Sequence, residues 1–214
     1  MDMKKKKTLT WIPLGLLWVL AGSFWSATGP AAGGSYTVGD VVADFRLRNV
    51  DGRMVALSDY KAGRGVLVVF TANHCPFAKA YEDRITGLHR RYAAQGYPVM
   101  AIQPNDPAAY EEDSFENMKL RATQKSYAFP YLLDETQEVA RAFGVTRTPQ
   151  VYLLQKTGDR FVVAYVGAID DSPQDVLSVK RRYVEEALAH LLADRPVSTP
   201  TTRAVGCAIK WKGM

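Results

Sequence analysis

The residue with the most chemistry to offer is Cys75. It follows the apolar run Val66 to Phe70, passes through Thr71-Ala72-Asn73-His74, and stands at the start of an amphipathic segment. A helix start carries unpaired N–H groups that favour negative charge, so a thiolate is stabilised there. Cysteines so placed can fall from a pKa of about 8.5 to roughly 3.5–7.5, and the thiolate is the nucleophile. His74 and Lys79 stand close enough in sequence to tune that charge. The competing reading is plain packing, because free cysteine is among the most buried residue types. The position after a buried strand and at a helix start favours chemistry. Phe77, Tyr81, Ile85, Leu88 and Tyr92 recur at spacings of three and four, which gives the helix one apolar face. Cys75 lies near the start of that face and is expected to be partly exposed.

The elements around it follow from period and punctuation. Asp51-Gly52 is a hairpin signal between Phe45–Asn49 and Met54–Ala56. Ser58 is expected to cap a short turn over Asp59–Ala62. The Val66 strand and its helix come next, with the helix stopping near Gly96. Pro98–Gln103 and Phe129–Leu133 read as strands. Between them, Glu111, Glu112, Asp113 and Glu116 crowd a helix start and read as a solvated face that suits the dipole. A short helix runs to Phe143 and stops at Gly144. Gln150–Gln155 and Arg160–Gly167 form a hairpin about Thr157-Gly158-Asp159. Ser172-Pro173 then signals a last helix, with Val176, Val179, Tyr183, Leu188 and Leu191 on its apolar face. His89 and His190 fall on helices away from Cys75 and are read as structural or solvated. Strand–helix alternation followed by a hairpin and a covering helix is α/β, with a mixed sheet flanked by helices and an N-terminal β-hairpin extension.

Composition narrows the class. The chain has 214 residues, 47% hydrophobic and 23% charged, enough for a full core without disulfide staples. The formal charge of +5 owes much to Lys4–Lys7, and no basic stripe interleaves with aromatics, so nucleic acid is not an expected partner. Neither Cys-x-x-Cys nor His-x-x-x-His spacing supports a metal site built on His74, Cys75 and Cys207, and no cofactor is expected. Residues 1–33 combine that basic stretch with an apolar run, Trp11 to Trp25, and read as a signal peptide or an uncleaved membrane anchor. Leu20-Ala21-Gly22-Ser23 has serine where a lipoprotein box needs cysteine, so lipidation is not supported. The body is therefore expected outside the cytoplasm, periplasmic or secreted, with membrane contact only through that segment. Residues 34–193 form the expected domain. Residues 194–214 form a tail, with a proline-containing linker before Cys207.

The order of elements, with Cys75 after the first core strand and Thr148-Pro149 before the hairpin, resembles the thioredoxin fold. More narrowly it resembles the redoxin branch, the thiol-specific antioxidant relatives. The residues that carry this are Val38-Gly39-Asp40 with Asp44-Phe45-Arg46-Leu47, Asn73-His74-Cys75-Pro76, Phe143-Gly144-Val145 and Thr148-Pro149. A group of secreted bacterial redoxins is similar in its Cys-Asn-His-Cys-Pro run and terminal Gly-Cys-x-Ile-Lys-Trp. The resemblance implies a cis Thr148–Pro149 bond facing the sulfur, with the Thr148 backbone available to an incoming peptide or peroxide.

The departures matter as much. Ala72 stands where the first cysteine of Cys-x-x-Cys would be, so a local dithiol cannot form. The peroxidase pattern Pro-x-x-x-Thr-x-x-Cys fails too, with Val68 and Ala72 at its first two fixed positions. Cys207 is the other sulfur, on a segment with Ile209 and Trp211 as apolar anchors. If it reaches Cys75, the pair forms a long-range disulfide, either as a redox couple with Cys207 resolving or as a static clasp. The resemblance thus implies a thiol oxidoreductase acting on protein thiols or disulfides, or on small peroxides, with a reducing partner protein. The alternative is a binding module that kept the fold and lost the chemistry.

Overall fold

The computed structural model describes residues 34–213, together with Met1 and Met3. The expected leader, residues 1–33, lies outside the described residues apart from those two. The strands are β1 (Val41–Val42), β2 (Arg46–Asn49), β3 (Met54–Ala56), β4 (Gly65–Phe70), β5 (Val99–Gln103), β6 (Tyr131–Leu133), β7 (Arg147–Thr148), β8 (Gln150–Thr157), β9 (Arg160–Gly167) and β10 (Cys207–Ala208). The helices are α1 (Pro76–Tyr92), α2 (Phe115–Gln124), α3 (Glu138–Phe143) and α4 (Tyr183–Leu192). Eight strands form one sheet in the order β1-β9-β8-β4-β5-β6-β2-β3, and β7 pairs with β10 apart from it. The pairs β4–β5 and β5–β6 are parallel and the others antiparallel.

β4 is buried along its whole length because both faces of the sheet are covered. Successive side chains point to opposite faces. Leu67 and Val69 join Tyr81, Ile85 and Leu88 of α1 and Val184 and Leu188 of α4. Val66, Val68 and Phe70 join Phe143, Tyr152 and, from the tail, Ile209. Each such fully buried aliphatic or aromatic side chain contributes about 1.5–3 kcal/mol. The strand that leads to Cys75 is therefore anchored in both halves of the core.

Several expectations change in the structure. The N-terminal hairpin is part of the main sheet, since β2 pairs with β6. Ser58 caps nothing; the turn is a 3-10 helix over Leu57–Tyr60, and Asp59 accepts the Ala56 N–H at 2.9 Å. The last helix begins at Tyr183, eleven residues beyond Ser172. The Arg84 guanidinium takes the carbonyls of Ser172 (2.8 Å) and Pro173 (2.6 Å), which a helix would need internally, so residues 172–182 carry only a 3-10 turn over Val176–Ser178 and are otherwise loop. Val176 is exposed there rather than on an apolar face. Residues 194–202 run against β9, where Thr202 donates its N–H to Val166 and its hydroxyl meets that of Tyr165 at 2.5 Å.

His89 is structural in a specific way: the Val99 N–H donates to its Nδ1 at 3.2 Å. Burial lowers its pKa from the ordinary value of 6.5. The unfolded chain thus binds the extra proton more readily. The stability His89 contributes is full above about pH 6.5 and is lost as pH falls towards its lowered folded value. Urea midpoints measured across the acid range should fall less steeply for His89→Asn than for the wild type; equal slopes would refute this assignment.

Candidate functional site

Cys75 is the N-cap of α1, one residue before the helix proper, with Pro76 at the first helical position. Proline fits there because its missing N–H has no intrahelical partner to lose. Contrary to the expected partial exposure, Cys75 has 0% of its surface open to solvent. It packs with Ala72 and Ala78, and Phe77 and Cys207 lean on that cluster.

Cys75 and Cys207 form a disulfide across 132 residues, with Cα atoms 5.9 Å apart. The tail reaches it by strand addition. β10 pairs antiparallel with β7, placing Cys207 opposite Thr148 and Ala208 opposite Arg147. The Thr148–Pro149 peptide is cis. The Cys75 Sγ lies 3.2 Å from the Thr148 carbonyl oxygen. The Thr148 backbone that an incoming peptide was expected to use is therefore already paired with the chain's own tail.

The rest of the tail is gripped through its backbone. Arg147 donates to the Gly206 carbonyl at 3.0 Å, and the Ile209 N–H donates to Thr146 at 3.3 Å. The Lys210 N–H donates to Asn105 Oδ1 (2.9 Å), and its carbonyl accepts from Gln137 Nε2 (2.8 Å) and the Asp106 N–H (2.9 Å). The Lys212 N–H donates to Gln137 Oε1 at 2.8 Å. Ile209 is buried and Arg141 lies over the Trp211 ring at 4.3 Å. Apolar anchors were legible in the sequence. The receiving side chains Asn105 and Gln137 were not, because isolated amides carry no spacing signal.

His74 is fixed by an acid expected on a solvated helix start. Its Nδ1 lies 2.5 Å from Asp113 Oδ2, and the ring stacks on Tyr110 at 4.1 Å with planes 2° apart. Asp113 Oδ1 accepts the N–H groups of Asn73 (2.7 Å) and His74 (3.1 Å). Asp113 is thus fully buried and holds the turn that delivers Cys75; it is not part of a solvated acidic face. Its neighbours Glu111 and Glu112 are exposed as expected. Removing Asp113 orphans two backbone donors and the imidazole, each buried donor costing about 1–3 kcal/mol. Asp113→Ala is expected to lose roughly 2–5 kcal/mol in chemical denaturation; a loss below about 1 kcal/mol would show that water replaces it.

Lys79 is exposed and forms no ion pair among the described residues. It lines a shallow cavity of about 170 Å³ with Asn73, Glu112 and Arg121. A second cavity, about 220 Å³, opens beside the cis proline between Tyr81, Pro149, Asp170, Tyr183, Arg203 and Val205. Asp170 is held there by the Tyr81 hydroxyl and Arg84, both at 2.7 Å, and burial pushes the Tyr81 hydroxyl far above its ordinary range.

A sulfur pair at a helix start, across from a cis proline, is an arrangement for thiol redox chemistry, and sequence comparison agrees. The AhpC/TSA family profile matches residues 38–171, well over half of the chain. The chain belongs to the AhpC/TSA family. This AhpC/TSA protein is 27% identical over 144 residues to the thiol-disulfide oxidoreductase ResA of Geobacillus thermodenitrificans, covering 67% of this chain and 78% of that one. It is 30% identical to the chloroplastic peroxiredoxin Q of Oryza sativa subsp. japonica, covering 62% of this chain and 59% of that one. The crystal structure of an uncharacterised conserved protein from Geobacillus kaustophilus superposes with a TM-score of 0.77 at 39% identity, over 84% of this chain and 94% of that one. The fold is thioredoxin-like, and the curated relatives named above are a thiol-disulfide oxidoreductase and a peroxiredoxin. Among the described residues no helix is long and apolar enough to cross a membrane.

Proposed function

We propose that this AhpC/TSA protein is an extracytoplasmic thiol–disulfide oxidoreductase whose redox couple is Cys75–Cys207. The observation that carries the reading is the disulfide itself, seated between the start of α1 and the cis proline. The second sulfur comes from the tail, which packs beside Ala72 where a local partner is missing. Thr148 and Pro149 shape the groove, and His74, locked by Asp113, sets the backbone and local charge before Cys75. Lys79 contributes only to the general positive field near Asn73. Substrates are protein thiols or disulfides, and a protein dithiol returns the couple to its starting state.

Exchange is favoured over peroxide reduction because Cys75 lacks the threonine that the peroxidase pattern sets three residues before it. An oxidised pair of this kind suits a compartment outside the cytoplasm, and the basic and apolar leader at residues 1–33 supports export. The test is turnover by the full chain: reduction of insulin disulfides with dithiothreitol as donor, beside consumption of hydrogen peroxide with the same donor. Disulfide turnover well above the dithiothreitol background, with little peroxide consumption, is the expected result. No turnover in either assay would identify a static clasp on a binding module.

A further inference from the structure

We propose that Cys207, not Cys75, is the sulfur that exchanges with partner thiols, and that Cys75 is the internal leaving group. This reverses the order in which the sequence ranks the two and rests on the redox reading above. Burial differs between the two residues. Cys75 presents no surface, whereas Cys207 is only half-buried and sits between exposed Val205 and Ala208. Thiol–disulfide exchange needs a thiolate to approach the attacked sulfur, and access helps decide which sulfur that is. Around Cys75 the space is filled by Ala72 and Ala78, and the Thr148 carbonyl oxygen closes a further side at 3.2 Å from Sγ.

Leaving-group quality divides them the same way. Cys75 is the N-cap of a seventeen-residue helix, at the end of the dipole that favours negative charge; Cys207 lies on a two-residue strand with no such support. The sulfur with the lower pKa leaves faster. Accessibility and leaving-group quality thus point to the same division of labour.

In the reductive direction, a thiolate of a protein dithiol bonds to the Cys207 sulfur, the Cys75–Cys207 bond breaks, and its electron pair leaves on Cys75 as a thiolate. The donor's second thiol, once deprotonated, attacks the donor sulfur of the mixed disulfide and releases Cys207 as a thiolate. The donor is oxidised to a disulfide and both cysteines are reduced. In the reverse sense Cys207 attacks a substrate disulfide and Cys75 resolves the mixed species. The grips on residues 209–212 keep Cys207 beside Cys75 throughout.

Labelling the reduced wild-type full chain tests the assignment without disturbing the tail. A substoichiometric pulse of N-ethylmaleimide followed by peptide mapping should mark Cys207 roughly ten times more than Cys75, since access outweighs thiolate fraction when one sulfur is buried. During insulin turnover Cys75→Ser should trap a mixed disulfide on Cys207, and Cys207→Ser should trap little on Cys75. Equal or preferential labelling of Cys75 in a wild type that turns over insulin would overturn the assignment and leave the oxidoreductase reading standing. A wild type with no turnover would remove both.

Discussion

Cys207→Ser is expected to reduce thiol–disulfide exchange to the uncatalysed background and to lower the thermal midpoint by roughly 10–20 °C. The two effects have separate origins. Exchange needs both sulfurs, because no second cysteine stands near Cys75 in the sequence. The stability effect comes from the unfolded chain: joining residues 132 apart removes loop-closure entropy worth about 5 kcal/mol. For a domain of this size each kcal/mol moves the midpoint by about 2–4 °C. Cys75→Ser should match it in stability, since either change opens the same loop. Scanning calorimetry of both variants and of reduced wild type checks this, and the three midpoints should coincide within a few degrees. If the reduced wild type melts with the oxidised form, the backbone grips on the tail already supply the restraint and the disulfide adds little. Loss of stability with no activity to lose would describe a clasp; loss of both describes a couple.

The local features of the site were legible because they are written in neighbouring residues. Val66–Phe70 is continuous and apolar, so it reads as a doubly covered strand, and it is one. Gly96 ends the 3-10 turn that follows α1 and Gly144 ends α3, with φ of 89° and 70°, conformations that glycine adopts without strain. The helix after Cys75 was readable from its period, although Glu82 breaks the expected pattern: it is buried because Arg121 meets it at 2.5 and 2.6 Å. What escaped depends on partners far away in sequence. Asp113 looks like one acid among four until His74, 39 residues earlier, is placed against it. Ser172-Pro173 has the grammar of a helix start, but Arg84 claims its carbonyls from 88 and 89 residues away. In both cases tertiary hydrogen bonding overrides a local signal that was sound in itself. That Ala72 leaves Cys75 without a local partner was readable; the seat that holds Cys207 beside it was not, because Asn105 and Gln137 act on backbone atoms of the tail and select no particular side chain.

Gly206→Val is expected to loosen the couple without touching either sulfur. A Cβ at Gly206 would lie 2.0 Å from the Thr148 carbonyl oxygen and 2.6 Å from its carbon. Both are backbone atoms of β7, tied to the cis proline and packed beneath it, so they cannot swing aside as a long side chain would. The tail must lift instead, and the β7–β10 pairing and the Arg147 bond to Gly206 give way first. Forcing bulk into a closed contact costs about 1–3 kcal/mol. The grips at Lys210 and Lys212 remain, so Cys207 stays tethered but is less often in position. Its effective concentration at Cys75 should fall by roughly 5–150-fold, taking tenfold for each 1.4 kcal/mol. Equilibration in dithiothreitol buffers reads this directly, as a disulfide reduced at correspondingly lower donor concentration. Gly87→Ala is the matched control, because its Cβ would meet nothing within 4 Å and alanine favours the helix. An unchanged redox equilibrium in Gly206→Val would mean that β10 pairing does not position Cys207, and that the downstream grips alone bring the sulfurs together. Such a result would transfer the positioning role from the strand beside the cis proline to Asn105 and Gln137, whose removal would then have to produce the missing shift.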